Sequence, residues 1–328
     1  MTPDKDLVAE SCARQRSRKE TDEQKHAAGT GARSGRAAEA AVMVSGSERT
    51  SEKDPGVFLG REAELTRLRA AIKSRVGVAI WGPADAGKTT LVREALAHVP
   101  GAISRNAIHL RVAGPPHPAL SALAGEMYAR GDGLLAGKYR GESRRGEEFS
   151  RWAGRQTSLR LRGLLYRAAE AGRYWVFLDD VEGLTDAFAR IVKELTTMRG
   201  TPVYLIATGY SERELGRAAR LYWNDELRIG LGPLSLACAR ELLERCIRRF
   251  GLTRLDLEGF REAILRTSER LPGAIVKMCA RAADPQYHYG NRIESRLLHV
   301  DYMMRFSYRA GRRAADAGTA KNGTSGRK

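Results

Sequence analysis

Residues 82–89 read Gly-Pro-Ala-Asp-Ala-Gly-Lys-Thr, and this octapeptide constrains the fold more than any other feature of the sequence. It matches the pattern GxxxxGK[ST], follows the short apolar run 76–81, and precedes a segment with helical spacing over 89–99. A glycine-rich turn between a buried strand and a helix aims backbone N–H groups and the positive end of the helix dipole at one point. Such a loop binds nucleotide phosphates. The sequence therefore predicts a nucleotide-binding α/β domain.

The residue types in this loop predict a role for each position. We expect Lys88 to contact the β- and γ-phosphates of ATP, and Thr89 to place its hydroxyl on Mg²⁺, which prefers hard oxygen ligands. Thr90 is predicted to lie near the α-phosphate, or it is simply a residue of the first helical turn. The turn that surrounds the phosphates comprises Gly82, Pro83, Ala84, Asp85, Ala86 and Gly87.

A second apolar run, 174–178, ends in the carboxylates Asp179 and Asp180. A nucleotide hydrolase needs an acidic residue at the end of a buried strand to hold Mg²⁺, so Asp179 is predicted as the second metal ligand. Asp180 is predicted to orient or deprotonate the attacking water, or it is only an acidic strand end. Glu182 is a second candidate for this base.

The middle of the chain alternates strand-like and helical segments. The strand-like runs are 76–81, 107–112, 175–178 and 203–207, and the helical segments between and before them include 63–72, 89–99 and 187–198. This alternation favours a parallel sheet flanked by helices. After Pro233 the pattern is only helical, over 236–250, 257–270 and 274–283. The predicted fold class is thus an α/β P-loop NTPase followed by a small all-helical subdomain, here called the lid.

The predicted organisation has five parts. Residues 1–54 and 311–328 are rich in Gly, Ala, Ser and charged residues and are predicted to be disordered tails, the second of them basic. Between them we expect a core over 55–232 with an insertion at about 115–162, the lid over 233–285, and a helical extension over 286–310. The extension belongs to an amphipathic pattern that runs from Asn291 to Arg313 and predicts one helix.

The chain of 328 residues carries a formal charge of +17, from 56 Lys and Arg against 39 Asp and Glu. The N-terminal tail contributes none of it, because it holds ten residues of each sign. A basic core and C-terminal tail favour an anionic partner such as DNA. A composition rich in Arg, Ala and Gly also arises from a GC-rich genome without selection for DNA binding.

The insertion is itself basic near its end. Residues 138–162 contain eight cations against three acids, with Tyr139 and Trp152 interleaved. This composition suits phosphate contact and base stacking, and it equally suits a solvated helix face with a tryptophan in the core. Both interpretations stay open from the sequence.

Cysteine usage and hydropathy predict the compartment. The four cysteines are far apart and form no CxxC pair, which argues against a zinc site or a disulfide framework. No apolar run of 18 residues is found, and the first residues lack the apolar stretch of a signal peptide. We therefore expect a cytoplasmic protein that does not enter a membrane.

Several motifs together resemble the AAA+/STAND superfamily of P-loop ATPases over about residues 57–283. They are Phe58-Leu-Gly-Arg-Glu-Ala-Glu-Leu65, the P-loop, Leu178-Asp-Asp180, the run Leu205-Ile-Ala-Thr208, and Gly232-Pro-Leu-Ser235. The similarity is to the branch that origin-recognition-like ATPases, bacterial transposition ATPases and STAND signalling switches share. The resemblance implies that residues 58–62, with Gly60 and Arg61, lie against the adenine and ribose.

The resemblance also implies a sensor and an arginine finger. Thr208 stands where such ATPases place a polar sensor of the γ-phosphate, and its alternative role is a strand-end residue in a turn. Arg217 or Arg220 lies in the stretch that often supplies an arginine finger to a neighbouring subunit of a homo-oligomer, and its alternative role is a solvated helix face.

The chain departs from the family pattern at two positions. Asp180 stands where active motors usually have Glu, so we expect slow hydrolysis. The turn at Leu271-Pro-Gly273 resembles the lid turn of these families but is not followed by their arginine, and Lys277 is the nearest cation.

Two functions follow from the resemblance. The first is an ATPase that switches conformation on DNA, as transposition or replication accessory ATPases do. The second is a STAND-like signalling switch that recruits a protein partner. A small-molecule kinase is disfavoured, because the helical lid and the paired aspartates have no role in it.

Overall fold

The structure is a computed structural model that describes residues 58–112, 116–139, 146–181, 186–198, 200–209, 212–222 and 224–304. The predictions made for both tails, for Glu182 and for residues 305–313 lie outside these residues. None of the helices in the described ranges has the length and apolar content needed to span a bilayer.

Five strands form one parallel sheet in the order β2-β3-β4-β1-β5. Their bounds are β1 (Ala79–Gly82), β2 (Ala107–Arg111), β3 (Trp175–Asp179), β4 (Val203–Thr208) and β5 (Arg228–Gly230). Every residue of β3 is buried, as expected of a strand covered on both faces. The sheet confirms the predicted α/β fold class, and β5 is an addition, because three residues are too short to give a periodic pattern.

Helices cover both faces of the sheet. They are α1 (Glu62–Lys73), α2 (Lys88–Ala97), α3 (Gly101–Asn106), α4 (Pro116–Ala129), α5 (Gly133–Lys138), α6 (Gly146–Gly154), α7 (Ser158–Ala171) and α8 (Asp186–Lys193). Alternate residues of β3 pack in the hydrophobic cores on opposite faces of the sheet. Phe177 packs in one core with Leu91, while Val176 and Leu178 pack in the other with Ile108. The helix predicted over 187–198 is α8 followed by a π-helical turn, Glu194–Met198.

The described residues of the insertion form α4, α5, α6 and the first turn of α7 on one face of the sheet. Its aromatic side chains form a cluster in which the Tyr128 and Phe149 rings stack at 4.4 Å and the Tyr139 and Trp152 rings lie 5.7 Å apart. Tyr139 and Trp152 pack against the hydrophobic core. The structure therefore favours the core interpretation of these two residues over base stacking.

The lid is a separate layer with its own core. Over residues 233–285 it contains α9 (Leu236–Arg249), α10 (Phe260–Thr267) and α11 (Pro272–Ala282). The strands β6 (His288–Tyr289) and β7 (Arg292–Ile293) and a helix α12 over residues 295–304 follow the lid and contribute to the same core. Leu243, Met278 and Leu298 are among the buried residues of this core.

The prediction of one helix from Asn291 is wrong at its start. Residues 288–293 form an antiparallel hairpin, and the helix begins at residue 295. The hairpin turns at Gly290-Asn291, where Gly290 has φ +60°. A glycine followed by asparagine in a two-residue loop suits a hairpin turn, and this local signal outweighs the apolar spacing.

Candidate nucleotide-binding site

The phosphate-binding loop lies at the carboxyl edge of the sheet, where open α/β sheets bind their ligands. It leaves β1 at Gly82 and enters α2 at Gly87, whose φ of +90° is the left-handed conformation that favours glycine. A pocket of about 170 Å³ adjoins the start of the loop, with Trp81, Pro83 and Leu271 in its lining. The start of the loop thus borders a cavity at the carboxyl edge of the sheet.

Lys88 is buried, and its ammonium donates hydrogen bonds to the backbone oxygens of Gly82 and Pro83, each at 2.9 Å. A buried ammonium requires such partners, because an unpaired charge away from water is costly. The lysine therefore points into the turn of its own loop, at the position where phosphate oxygens would take over from the two carbonyls.

Thr89 and Asp179 meet across 90 residues of sequence. The Thr89 hydroxyl donates to Oδ2 of Asp179 at 2.9 Å. The two residues predicted as Mg²⁺ ligands are thus adjacent, and both offer the hard oxygen atoms that this ion prefers. The donor set fits a magnesium ion.

The Asp179 carboxylate is 8% exposed and is held in its ionised form. Burial raises its pKa, but hydrogen bonds from His109 and Thr89, the charge of His109 and the backbone N–H of Asp180 together outweigh burial and bring the pKa below its ordinary value. His109 Nε2 lies 3.4 Å from Oδ2 of Asp179. A carboxylate that stays ionised in a buried place is suited to a cation.

Asp180 has a different environment. Its Oδ2 lies 3.0 Å from Nε of Arg111, and its φ is +57°, an uncommon conformation for a residue other than glycine. The turn directs Asp180 away from the path of β3 and toward the end of β2. The carboxylate predicted to act on water therefore has a cation as its neighbour.

The remaining catalytic candidates and Thr90 lie in different elements. Thr208 ends β4 opposite Gly82 and is half-buried, so it borders the start of the loop. Thr90 is exposed in the first turn of α2. Arg220 is exposed in the 3₁₀ helix Glu212–Leu221. The side chain of Arg217 lies outside the described residues.

Gly60 and Arg61 pack against the lid. Arg61 is buried, and its guanidinium donates to the backbone oxygen of Gly232 and pairs with Glu64 at 3.1 Å. Gly60 lies against Cys238, where a Cβ would come within 2.8 Å of the sulfur. The segment thus joins the core to the start of the lid, and its predicted contact with adenine and ribose stays a prediction.

The lid touches the phosphate-binding loop directly through Asp85. The backbone oxygen of Asp85 accepts a hydrogen bond from Gly273 N at 2.8 Å, and its carboxylate pairs with Lys277. The Tyr302 hydroxyl of α12 donates to Oδ2 of Asp85 at 3.3 Å. One side chain of the lid and one of α12 therefore converge on one residue of the loop.

Sequence reasoning missed His109, Arg111 and Tyr302. The alternation of β2 is a usable signal, because Ile108 and Leu110 are buried while His109 and Arg111 are exposed on the other side. That alternation places two polar residues on one face near a strand end. No local pattern indicates Tyr302, because its contact with Asp85 joins residues 217 positions apart.

Part of the chain is similar in sequence to a known family. Residues 57–207 match the family model of the AAA ATPase domain. No curated protein sequence matches the chain. Among solved structures the chain is similar to a Walker-type ATPase of Pyrococcus abyssi, at 16% identity and a TM-score of 0.49, over 78% of this chain and 76% of that one.

Two further structures are similar at lower scores. A RuvB mutant of Thermotoga maritima is 15% identical with a TM-score of 0.42, over 75% of this chain and 70% of that one. The Hsp104–ADP complex of Saccharomyces cerevisiae is 14% identical with a TM-score of 0.41, over 69% of this chain and 30% of that one. The matched residues 57–207 hold the phosphate-binding loop and the Asp179 strand, and over these residues the chain is similar to the AAA ATPase domain.

Proposed function

We propose that this chain binds ATP with Mg²⁺, hydrolyses it slowly, and uses the bound nucleotide to switch conformation on DNA. The observation that supports nucleotide binding best is the 2.9 Å contact between Thr89 and Asp179, directly beside the phosphate-binding loop. Core packing alone does not require a hydroxyl and an ionised carboxylate in contact beside a phosphate-binding loop. Their contact therefore supports a binding site.

Each residue of the site has a proposed role in binding ATP and Mg²⁺. Lys88 exchanges the carbonyls of Gly82 and Pro83 for phosphate oxygens, and the N–H groups of the loop donate to the same phosphates. Thr89 and Asp179 hold Mg²⁺, which when bound neutralises charge on the phosphates. Thr208, which lies opposite Gly82 at the end of β4, is proposed to donate to the terminal phosphate.

Slow hydrolysis follows from Asp180. The residue has a short side chain, and its carboxylate lies 3.0 Å from the Arg111 guanidinium. A carboxylate neutralised by a cation accepts a proton from water less readily. We therefore expect long-lived ATP complexes, which suits a switch better than a motor.

The test is ATP binding and turnover of two variants. Lys88→Ala is expected to abolish nucleotide binding, and Asp179→Ala is expected to abolish Mg²⁺-dependent phosphate release. Lys73→Ala, at the exposed end of α1, and Asp225→Asn, whose carboxylate is 99% exposed, are matched controls that should behave as the unchanged protein. Undiminished binding and turnover in both site variants would contradict the assignment.

Action on DNA is supported by charge. The net charge is +17, and Lys138, Arg151, Arg155 and Arg160 are exposed along the α5–α7 part of the insertion. Cations at that density bind a phosphate backbone through release of counterions, so affinity for duplex DNA should fall steeply with salt. A steep salt dependence, with tighter binding in ATP, is the expected result. No DNA binding at low salt would refute this part of the proposal.

The second candidate is a STAND-like signalling switch that recruits a protein partner. The pairing of Asp180 with Arg111 favours it, because a signalling switch holds nucleotide for long times. The two candidates predict different complexes. Size-exclusion chromatography with light scattering, with and without ATP and duplex DNA, separates a DNA-bound assembly from a DNA-independent one.

Size-exclusion chromatography with light scattering also tests whether the chain assembles into a homo-oligomer. The exposed position of Arg220 supports its proposed role toward a neighbouring subunit. Assembly on addition of ATP that is lost in Arg220→Ala is the expected outcome, and assembly unaffected by that change would exclude Arg220 from the role. A cytoplasmic location stays a prediction from the sequence.

A further inference from the structure

Asp85 is an acidic residue inside a loop that is built for anions. It has φ +66°, its side chain is 15% exposed, and it lies two residues before Gly87. Its carboxylate accepts from both Lys277 and Tyr302, one through each oxygen. A phosphate bound by the loop would bring like charge close to this carboxylate, and such charges repel strongly in a partly buried site.

The backbone around Asp85 ties the lid to the loop as well. The first turn of α11 reaches the loop at Gly273, whose N–H donates to the Asp85 oxygen at 2.8 Å. A Cβ at Gly273 would lie 3.0 Å from that oxygen and from the Asp85 Cβ, so a side chain there would push the two segments apart by a few tenths of an ångström. The start of α11 is therefore docked on the phosphate-binding loop.

The helix α12 is anchored so that Tyr302 stays on Asp85. Leu298 is fully buried in the lid core, and Asp301 accepts from Arg281 at 3.0 Å and from Tyr287 at 2.8 Å. The Tyr302 ring packs against both the lid core and the core beneath the loop. Burial, and then the neighbouring Asp85 charge, raise the pKa of Tyr302, so its hydroxyl remains a donor at neutral pH.

We propose that Asp85, Lys277 and Tyr302 form a latch through which α12 holds the lid on the phosphate-binding loop, and that nucleotide phosphates open it by competing with Asp85 for Lys277. The proposal rests on the proposed function for its ligand, a nucleotide polyphosphate. Binding of the phosphates leaves Asp85 without its cation and facing like charge, which weakens its bond to Tyr302. The nucleotide state is thereby transmitted to the C-terminal helix.

The latch is tested first without nucleotide, by amide hydrogen exchange on the full chain. Tyr302→Phe keeps the ring and removes the hydroxyl. It should speed exchange in the peptide over residues 82–91 by about threefold to tenfold, the range expected for loss of one hydrogen bond. Tyr289→Phe is the matched control, because this tyrosine is 79% exposed on the hairpin. Amide exchange over residues 82–91 in this variant should equal that of the unchanged protein. Equal exchange in both variants overturns the latch.

The second arm adds nucleotide. Stopped-flow binding of a fluorescent ATP analogue should be about threefold to tenfold faster in Tyr302→Phe than in the unchanged protein, and faster again in Asp85→Asn, which removes the charge. In the unchanged protein, saturation with ATP should increase exchange over residues 295–304. Slower association in Tyr302→Phe, or exchange over 295–304 that ATP does not alter, contradicts the proposal.

The outcomes separate the two proposals. If the unchanged protein binds nucleotide but α12 does not respond, the latch is wrong and the proposed function stands. If the unchanged protein binds no nucleotide, both proposals fail.

Discussion

At the scale of single residues, the site depends on how each carboxylate is paired. Asp179 and Asp180 are adjacent in sequence, yet the first lies within reach of Thr89 and His109 and the second lies beside Arg111. The left-handed φ of Asp180 turns its side chain away from that of its neighbour. The first carboxylate thus has a hydroxyl and an imidazole as partners, while the second is paired with a guanidinium.

This difference gives a prediction for Arg111. Arg111→Gln removes the cation beside Asp180 and should raise the ATP turnover number about two- to fivefold with little change in KM, because an exposed ion pair of this kind is weak. Steady-state phosphate release measures it. Arg93→Gln, an exposed arginine on α2, is the control. A turnover number that falls in Arg111→Gln would show that the arginine assists the reaction instead.

At the scale of elements, short sequence patterns predict the helices, strands and turns that depend on contacts between neighbouring residues. The phosphate-binding loop, the strand that ends at Asp179 and the lid helices all follow from periodicity and turn residues within short windows. The pairing of His109 with Asp179 depends on β2 lying next to β3, which no short window contains. The contact of Tyr302 with Asp85 likewise depends on where α12 docks. Contacts between residues far apart in the sequence are therefore the part of the site that sequence patterns do not predict.

The helix α12 offers a matched pair of leucines. Leu298 is fully buried in the lid core, whereas its neighbour Leu297 is 50% exposed. Leu298→Ala should lower the free energy of unfolding by about 2–5 kcal/mol, because it removes buried methyl groups and leaves a cavity. Leu297→Ala should change it by no more than about 0.5 kcal/mol. Urea titration compares them, and equal losses would mean that α12 does not dock as described.

At the scale of the whole molecule, the charge excess lies outside the N-terminal tail, and part of it is exposed on the insertion. The aromatic residues Tyr139 and Trp152 of the insertion pack against the core, so the proposed contact with DNA depends on the cations. Binding through cations without base stacking should be insensitive to sequence and strongly dependent on salt.

A charge-reversal experiment locates this surface. Replacing Arg151, Arg155 and Arg160 together by Glu should weaken duplex DNA binding and reduce the slope of log affinity against log salt by up to about 2.7, or 0.9 for each lost phosphate contact. Fluorescence anisotropy at several salt concentrations gives the slope. The matched control reverses three exposed lid arginines, Arg240, Arg254 and Arg266. An equal loss in both variants would mean that net charge matters and the insertion does not.

The phosphate-binding loop and Asp179 are proposed to form one site for ATP and Mg²⁺. Calorimetric titration of ATP into the unchanged protein and into Asp179→Asn, each with excess Mg²⁺ and with EDTA, tests this proposal. Mg²⁺ should tighten ATP binding at least about tenfold in the unchanged protein and have little effect in the variant. The same gain from Mg²⁺ in both proteins, or no ATP binding by the unchanged protein, would contradict it.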